Sequence, residues 1–281
     1  MKIAVVGKGG TGKSFIAASL ARLFAGGSAT ADVATAVSEA ATAATSGDDA
    51  SLSAQAGQVY ALDADPCGGL GAALGLSQAE IDNVKPIVDM REFFEPGKED
   101  GELYLSAPDI GSVGGQYNTV ADGVNFLRMA YTKRAGAGCY CQEYGFLQAL
   151  LKSMLLGEND VLILDMPPGV EHFSRGTIRG VDMLLIVAEA TRACIETSRT
   201  IRAFGADLGI PKVFVVANKV RNEKEELLIR ACFRRGELIG LVRMSEAIAD
   251  QSIGIGSKSI MPPYKALPDV EELYQNLLSF K

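Results

Sequence analysis

The chain has 281 residues, 48% of them hydrophobic, and a formal net charge of −7, which is enough apolar material for one large α/β domain. The acidic balance argues against broad electrostatic binding to nucleic acid or to an anionic membrane, because both need a basic face. No stretch reaches the roughly 18 to 20 apolar residues of a membrane span, and residues 1–7 run straight into a glycine loop with no signal-peptide cleavage site, so the expectation is a soluble, cytoplasmic protein.

Residues 2–7 are a short apolar run, rich in β-branched residues, that stops at glycine; this predicts a buried strand, followed by a glycine loop and an apolar-periodic helix over 14–24. Residues 25–58 are dominated by Ala, Ser, Thr and Gly and can bury little, which predicts a surface insertion with a short Ala-rich helix near 32–45. Further strand-like runs occupy 59–63, 161–165, 183–188, 213–218 and 238–242, and helix-like stretches occupy 143–156, 194–208, 223–232 and 270–278. Strands alternating with helices predict an α/β fold with a mostly parallel central sheet flanked by helices on both faces. Ligands in such folds sit at the carboxyl ends of the strands.

Gly7-Lys8-Gly9-Gly10-Thr11-Gly12-Lys13-Ser14 fits the phosphate-loop pattern G-x-x-x-x-G-K-[ST]. Its glycines let backbone N–H groups face the phosphates, Lys13 supplies charge to the β and γ phosphates, and the Ser14 hydroxyl is offered to Mg2+. Gly9, Gly10, Thr11, Gly12, Lys13, Ser14 and Phe15 are therefore the expected ATP-binding residues. Leu162-Ile163-Leu164-Asp165 is an apolar run ending in a carboxylate that suits magnesium coordination through water.

Lys8, directly before the paired glycines, makes the loop resemble the deviant Walker A family, K-G-G-x-G-K-[ST], which includes the nitrogenase iron protein, the MinD and ParA positioning ATPases and the arsenite-pump ATPase. The resemblance implies a P-loop NTPase that forms an ATP-stabilised homodimer, with Lys8 reaching across the interface to the partner's nucleotide during phosphoryl transfer. Asp63-Ala64-Asp65-Pro66 is similar to the family's switch I, which gives Asp65 the attacking water and leaves Asp63 to support the loop or the metal shell. Asp165-Met166-Pro167-Pro168-Gly169 resembles switch II, and Asn218-Lys219 matches the adenine-contact position.

The five cysteines do not suggest a disulfide framework, and thiols kept reduced are free to bind metal. Cys139 and Cys141 lie one residue apart; in extended backbone they would point to the same side. Two thiolates do not close a tetrahedral site, whereas a twofold dimer supplies four, which suits Zn2+ or Ni2+. Cys67 reads as a packed loop cysteine, Cys194 and Cys232 as core residues, and the single histidine, His172, as a structural hydrogen-bonding group.

The segment Cys139-Tyr140-Cys141-Gln142-Glu143-Tyr144-Gly145-Phe146-Leu147, together with Gly169-Val170-Glu171-His172-Phe173-Ser174-Arg175-Gly176-Thr177, resembles the carbon monoxide dehydrogenase maturation ATPases of the CooC type. That resemblance implies ATP-driven insertion of nickel into the active-site cluster of carbon monoxide dehydrogenase, or of the related acetyl-CoA synthase, with Cys139 and Cys141 holding nickel or zinc at the dimer interface. A positioning switch of the MinD or ParA kind is the alternative; it predicts a basic amphipathic tail, and the acidic Asp269, Glu271 and Glu272 near the C-terminus do not fit one. An electron-transfer protein sharing an iron–sulfur cluster would need well-separated cysteines instead of this adjacent pair.

Overall fold

Alternation along each strand sorts the apolar residues into two cores, one on either face of a sheet. In β1 (Lys2–Gly7), Ile3 and Val5 join one packed cluster while Ala4 and Val6 join the other, the two-residue period of an extended chain buried on both sides. The computed structural model describes residues 1–29, 57–93, 95–96, 103–104, 115–154, 156–252 and 267–280.

After β1 comes α1 (Lys13–Ala29), whose Ile16, Leu20 and Leu23 fill the first core. The helix therefore extends past residue 24 and takes in 25–29, the first residues assigned to the insertion. The helix expected near 32–45 lies outside the described residues. Next come β2 (Val59–Asp63), the short α2 (Leu70–Ala73), and α3 (Gln78–Asn83), which opens on a Ser77/Glu80 capping box. A 3-10 helix at Ile87–Phe93 leads to an antiparallel pair of two-residue strands, β3 (Glu95–Pro96) and β4 (Leu103–Tyr104).

Two strands absent from the sequence expectation follow, β5 (Thr119–Ala121) and β6 (Val124–Arg128), joined at Asp122-Gly123. Both turn residues have positive φ, 50° and 78°, the conformation a two-residue hairpin requires. An Asp122–Arg22 ion pair at 2.9 Å ties this hairpin to α1.

The remainder alternates as expected: α4 (Cys141–Ser153), β7 (Val161–Asp165), α5 (Glu171–Ser174), β8 (Met183–Ala188), α6 (Arg192–Asp207), β9 (Lys212–Val220), α7 (Glu223–Cys232), β10 (Leu238–Arg243), α8 (Glu246–Ser252) and α9 (Pro268–Leu278). The eight-stranded sheet has the order β10-β9-β8-β1-β7-β2-β6-β5 and is parallel except for β5. Helices α1 and α9 cover one face, where Val270, Leu273 and Leu277 pack against β10 and α1. Phe146, Leu147 and Leu151 of α4 and Ile195 and Ile201 of α6 cover the other. Among the described residues no helix is long and apolar enough to cross a membrane.

Candidate functional site

Strand register brings the chemically suggestive segments to one edge of the sheet. Asp63 on β2 pairs with Asp165 on β7, Asp165 pairs with Val5 on β1, and Gly7 pairs with Val187 on β8. The loops that leave β1, β2 and β7 therefore start side by side at the carboxyl ends of adjacent parallel strands.

The first loop owes its shape to two glycines. At Gly7 (φ +146°) a Cβ would lie 2.3 Å from the Val187 carbonyl oxygen, and at Gly12 (φ +89°) a Cβ would lie 2.3 Å from Asn218 Nδ2. Asn218 uses that space to donate to the Thr11 carbonyl at 2.8 Å, and Lys219 Nζ donates to the Gly10 carbonyl at 2.5 Å while pairing with Glu189 at 3.0 Å. Thr11 Oγ1 and Lys13 Nζ both donate to the Lys8 carbonyl, at 2.9 and 3.3 Å. With its carbonyls engaged by side-chain donors, the loop closes onto the N-terminus of α1, where backbone N–H groups and Lys13 favour an anion. The Lys8 side chain is exposed.

Asp165 and Asp65 lie in the field of Lys13, and Asp63 lies in the field of those two carboxylates. Burial pushes Asp165 up to about 6, against the pull of the Ser14 hydroxyl hydrogen bond and the Lys13 ammonium; Asp65 adds to the upward push. Asp63 is raised well above the usual carboxylate range by burial and then by Asp165, although it accepts hydrogen bonds from the N–H groups of Leu70 at 3.2 Å and Asp65 at 3.3 Å. Asp65 is half-buried and accepts from the Cys67 N–H at 3.0 Å, an Asx-type turn within its own loop. Lys13 is itself lowered by burial, with Asp165 and Asp65 opposing. Asp165 Oδ1 has no hydrogen-bond partner among the described residues. A buried carboxylate oxygen without a partner, beside a serine hydroxyl, is a donor set that fits a hard divalent cation such as Mg2+.

In α5, after the loop that leaves β7, His172 is 2% exposed, and burial followed by the Lys13 charge pushes it down to about 4. Its Nε2 has no partner among the described residues, so the hydrogen bond expected of it is not made at that atom. The ring instead packs on Phe173, with centroids 4.5 Å apart.

The cysteines differ from expectation in three ways. Cys141 is the first residue of α4, so the pair sits at a loop-to-helix junction and not in extended backbone. Cys139 and Cys141 are joined as a disulfide, with Cα atoms 5.4 Å apart; the turn brings the two Cβ atoms within bonding reach, which sequence spacing alone did not disclose. Cys67 is exposed, not packed. Cys194 is buried and Cys232 half-buried against the core, as expected. Among the described residues no three His, Cys, Asp or Glu side chains cluster to hold a metal.

Residues missed in the sequence link this segment to the nucleotide loops. Thr132 Oγ1 donates to the Pro66 carbonyl at 2.7 Å, and Lys133 donates to the Cys139 carbonyl at 2.6 Å and pairs with Glu143 at 2.9 Å. The Tyr144 phenol, one turn into α4, is raised by burial and next by the Asp65 charge, which places it in the field of the loop after β2. On the opposite side of the loop, Gly12, Phe15, Asn218 and Lys219 line a cavity of about 270 Å3 together with Val242, Met244, Ile248 and Ala249. An apolar wall with an amide and an ammonium at its edge suits a heteroaromatic base. Glu189, which anchors Lys219, lies just past a strand end and carried no motif to mark it.

Residues 2–253 match the family described as the CobQ/CobB/MinD/ParA nucleotide binding domain. The chain is 31% identical over 268 residues to the carbon monoxide dehydrogenase accessory protein CooC of Rhodospirillum rubrum, covering 93% of this chain and 91% of that one. It is 30% identical to an uncharacterized ATP-binding protein of Methanocaldococcus jannaschii over 100% of this chain and 99% of that one. In fold it is similar to the cell division ATPase MinD of Pyrococcus furiosus, with a TM-score of 0.62 at 15% identity, covering 100% of this chain and 99% of the other. A plasmid partition protein of Borrelia burgdorferi bound to AMPPNP has the same TM-score, 0.62, at 14% identity, again covering 100% and 99% of the two chains.

Proposed function

This chain belongs to the CobQ/CobB/MinD/ParA nucleotide-binding domain family and is a P-loop ATPase, and from that premise we propose that it is a cytoplasmic, nucleotide-dependent dimerising metallochaperone that delivers nickel to the active-site cluster of carbon monoxide dehydrogenase or acetyl-CoA synthase. The observation that carries this reading is the turn at Cys139 and Cys141, which holds two sulfurs together and is linked to the loop after β2 through Lys133, bonded to the Cys139 carbonyl, and its neighbour Thr132, bonded to the Pro66 carbonyl. Likeness to the Rhodospirillum rubrum accessory protein over nearly the whole chain supports it. After thiol–disulfide exchange with two equivalents of a small-molecule thiol, which leave joined as their own disulfide, each protomer would offer two thiolates, and a twofold dimer would complete four ligands around Ni2+ or Zn2+ as cargo.

In this reading Gly9 through Phe15 bind the triphosphate, Lys13 and the partner-directed Lys8 stabilise charge on the transferring phosphoryl group, and Asp65 orients the attacking water. Ser14 and Asp165 would hold the Mg2+ that neutralises phosphate charge, and Asn218 and Lys219 shape the base cavity. One of the two Asn218 amide N–H groups is given to the Thr11 carbonyl, so Asn218 also holds the loop. The apolar residues of α9, Val270, Leu273, Tyr274 and Leu277, are buried in the core, so that helix is not available as the membrane-surface tail a MinD-like positioning switch would use.

The test is anaerobic titration of the reduced protein with Ni(II), following thiolate charge-transfer absorption and mass with MgADP or a non-hydrolysable ATP analogue. One nickel per dimer, lost in the double variant Cys139→Ser/Cys141→Ser, is the expected outcome. No cysteine-dependent binding in any nucleotide state would move the function to a regulatory switch.

A further inference from the structure

Thr132 and Lys133 are adjacent in sequence and face different sites. Thr132 is exposed, yet its hydroxyl is held at 2.7 Å on the carbonyl of Pro66, the residue after Asp65. Lys133 donates from Nζ to the Cys139 carbonyl at 2.6 Å and pairs with Glu143 in the first turn of α4 at 2.9 Å. Its backbone N–H donates to the Tyr140 hydroxyl at 2.7 Å, and its ammonium sits 4.7 Å from the Tyr140 ring centroid. At the start of this segment the Met129 N–H donates to the Asp63 carbonyl at 2.8 Å. Residues 129–133 thus form a short strap that grips the end of β2 at the Asp63 carbonyl, the loop after it at the Pro66 carbonyl, and both sides of the cysteine turn, at Cys139 and at Glu143.

We propose that Thr132 and Lys133 are positioning residues through which the state of the Cys139–Cys141 pair sets the placement of Asp65, so that metal on the sulfurs and nucleotide in the loop change each other's affinity. The proposal rests on the reading of the pair as a metal site. Two thiolates on one tetrahedral metal stand about 3.8 Å apart, farther than two bonded sulfurs. Reduction releases the two sulfurs and metal capture fixes them at that wider separation, Lys133 follows the Cys139 carbonyl, and Thr132 carries the movement to Pro66. Displacement of a reacting group by about 1 Å is enough to change its effectiveness on the order of a hundredfold. Linkage makes the effect reciprocal: whatever factor nucleotide imposes on metal affinity, metal imposes on nucleotide affinity.

Zinc is the probe. The reduced full chain is titrated anaerobically against a chromophoric chelator, once with MgADP and once with a non-hydrolysable ATP analogue, to give the ratio of the two zinc Kd values. The wild-type ratio is expected to depart from unity by at least about fivefold. Thr132→Val, which keeps the shape and removes the hydroxyl, is expected to bring the ratio to about one with Tm near wild type, and Thr132→Ser is expected to restore it. A wild-type ratio of one, or a full ratio in Thr132→Val, overturns the coupling and leaves the metal site standing. No cysteine-dependent zinc binding in either nucleotide state overturns the metallochaperone reading, and the coupling with it.

Discussion

Replacing Asp165 by asparagine should make the metal-free protein more stable while removing magnesium-dependent ATP hydrolysis. Burial raises this carboxyl from 3.8 to about 6, so the folded state holds its proton more tightly than the unfolded state does. With a raised carboxyl the sign is unfavourable above the folded pKa: the folded chain pays for an anion that the unfolded chain carries freely. A shift of about two units corresponds to about 3 kcal/mol at pH 7.5; the penalty falls to about 1.6 kcal/mol at pH 5 and fades below pH 4, where both states are protonated. Asparagine keeps the shape and an oxygen able to accept from Ser14, and removal of the charge also relieves Asp63, which Asp165 pushes upward. Urea unfolding in the presence of a chelator should show Asp165→Asn gaining up to about 3 kcal/mol at pH 7.5 and roughly half as much at pH 5. Wild type should gain further stability when Mg2+ is added to its nucleotide complex, and the variant should not. An equal or lower stability for the variant at pH 7.5, or a gain that does not shrink on acidification, would refute the argument that this carboxylate is held at a cost for a cation.

The other expectations use separate parts of the site. Asp65→Ala should keep nucleotide binding, followed with a fluorescent ATP analogue, and lower phosphate release by at least about a hundredfold; unchanged turnover would remove Asp65 from the mechanism. Gly12→Ala combines a strained backbone at φ +89° with a Cβ 2.3 Å from Asn218 Nδ2, a cost of about 2–3 kcal/mol, and should raise the nucleotide Kd roughly thirtyfold or more in calorimetry. Ala249→Trp fills the 270 Å3 cavity from its half-exposed wall and should weaken ATP binding with little change in Tm; tight binding would place the base elsewhere. His172, pushed down from 6.5 to about 4, is neutral at pH 7 and costs stability as pH falls below 6.5, reaching about 3 kcal/mol below pH 4. His172→Leu should remove that acid-side loss in pH-dependent unfolding.

Much of the fold was legible because its signals are local. The runs that become β1, β2, β7 and β8 are apolar except at their ends, as strands buried on both faces must be, and α1, α6, α7 and α9 follow at helical period. Strands β5 and β6 escaped because one is three residues long and the other carries Asn125 and Arg128, although Asp122-Gly123 was a readable hairpin signal. The end of α1 was misplaced because an Ala/Gly/Ser run is compatible with either a helix or a loop.

The candidate site divides along the same line. Gly7 to Ser14, Asp65, Asp165 and Asn218-Lys219 were each marked by residue type and by position just after a strand, and in a parallel sheet every such position lies at the same edge. Sequence alone therefore determined which segments meet. Only the tertiary structure decided how they meet: that Gly12 is bare to admit Asn218, that Asp165 and Asp65 lie in the field of Lys13 and Asp63 in the field of those two carboxylates, that Cys139 and Cys141 sit at a helix start within bonding reach, and that Thr132 reaches Pro66. Those facts join residues up to 207 positions apart, and their energies depend on separation and burial, which spacing along a chain does not encode.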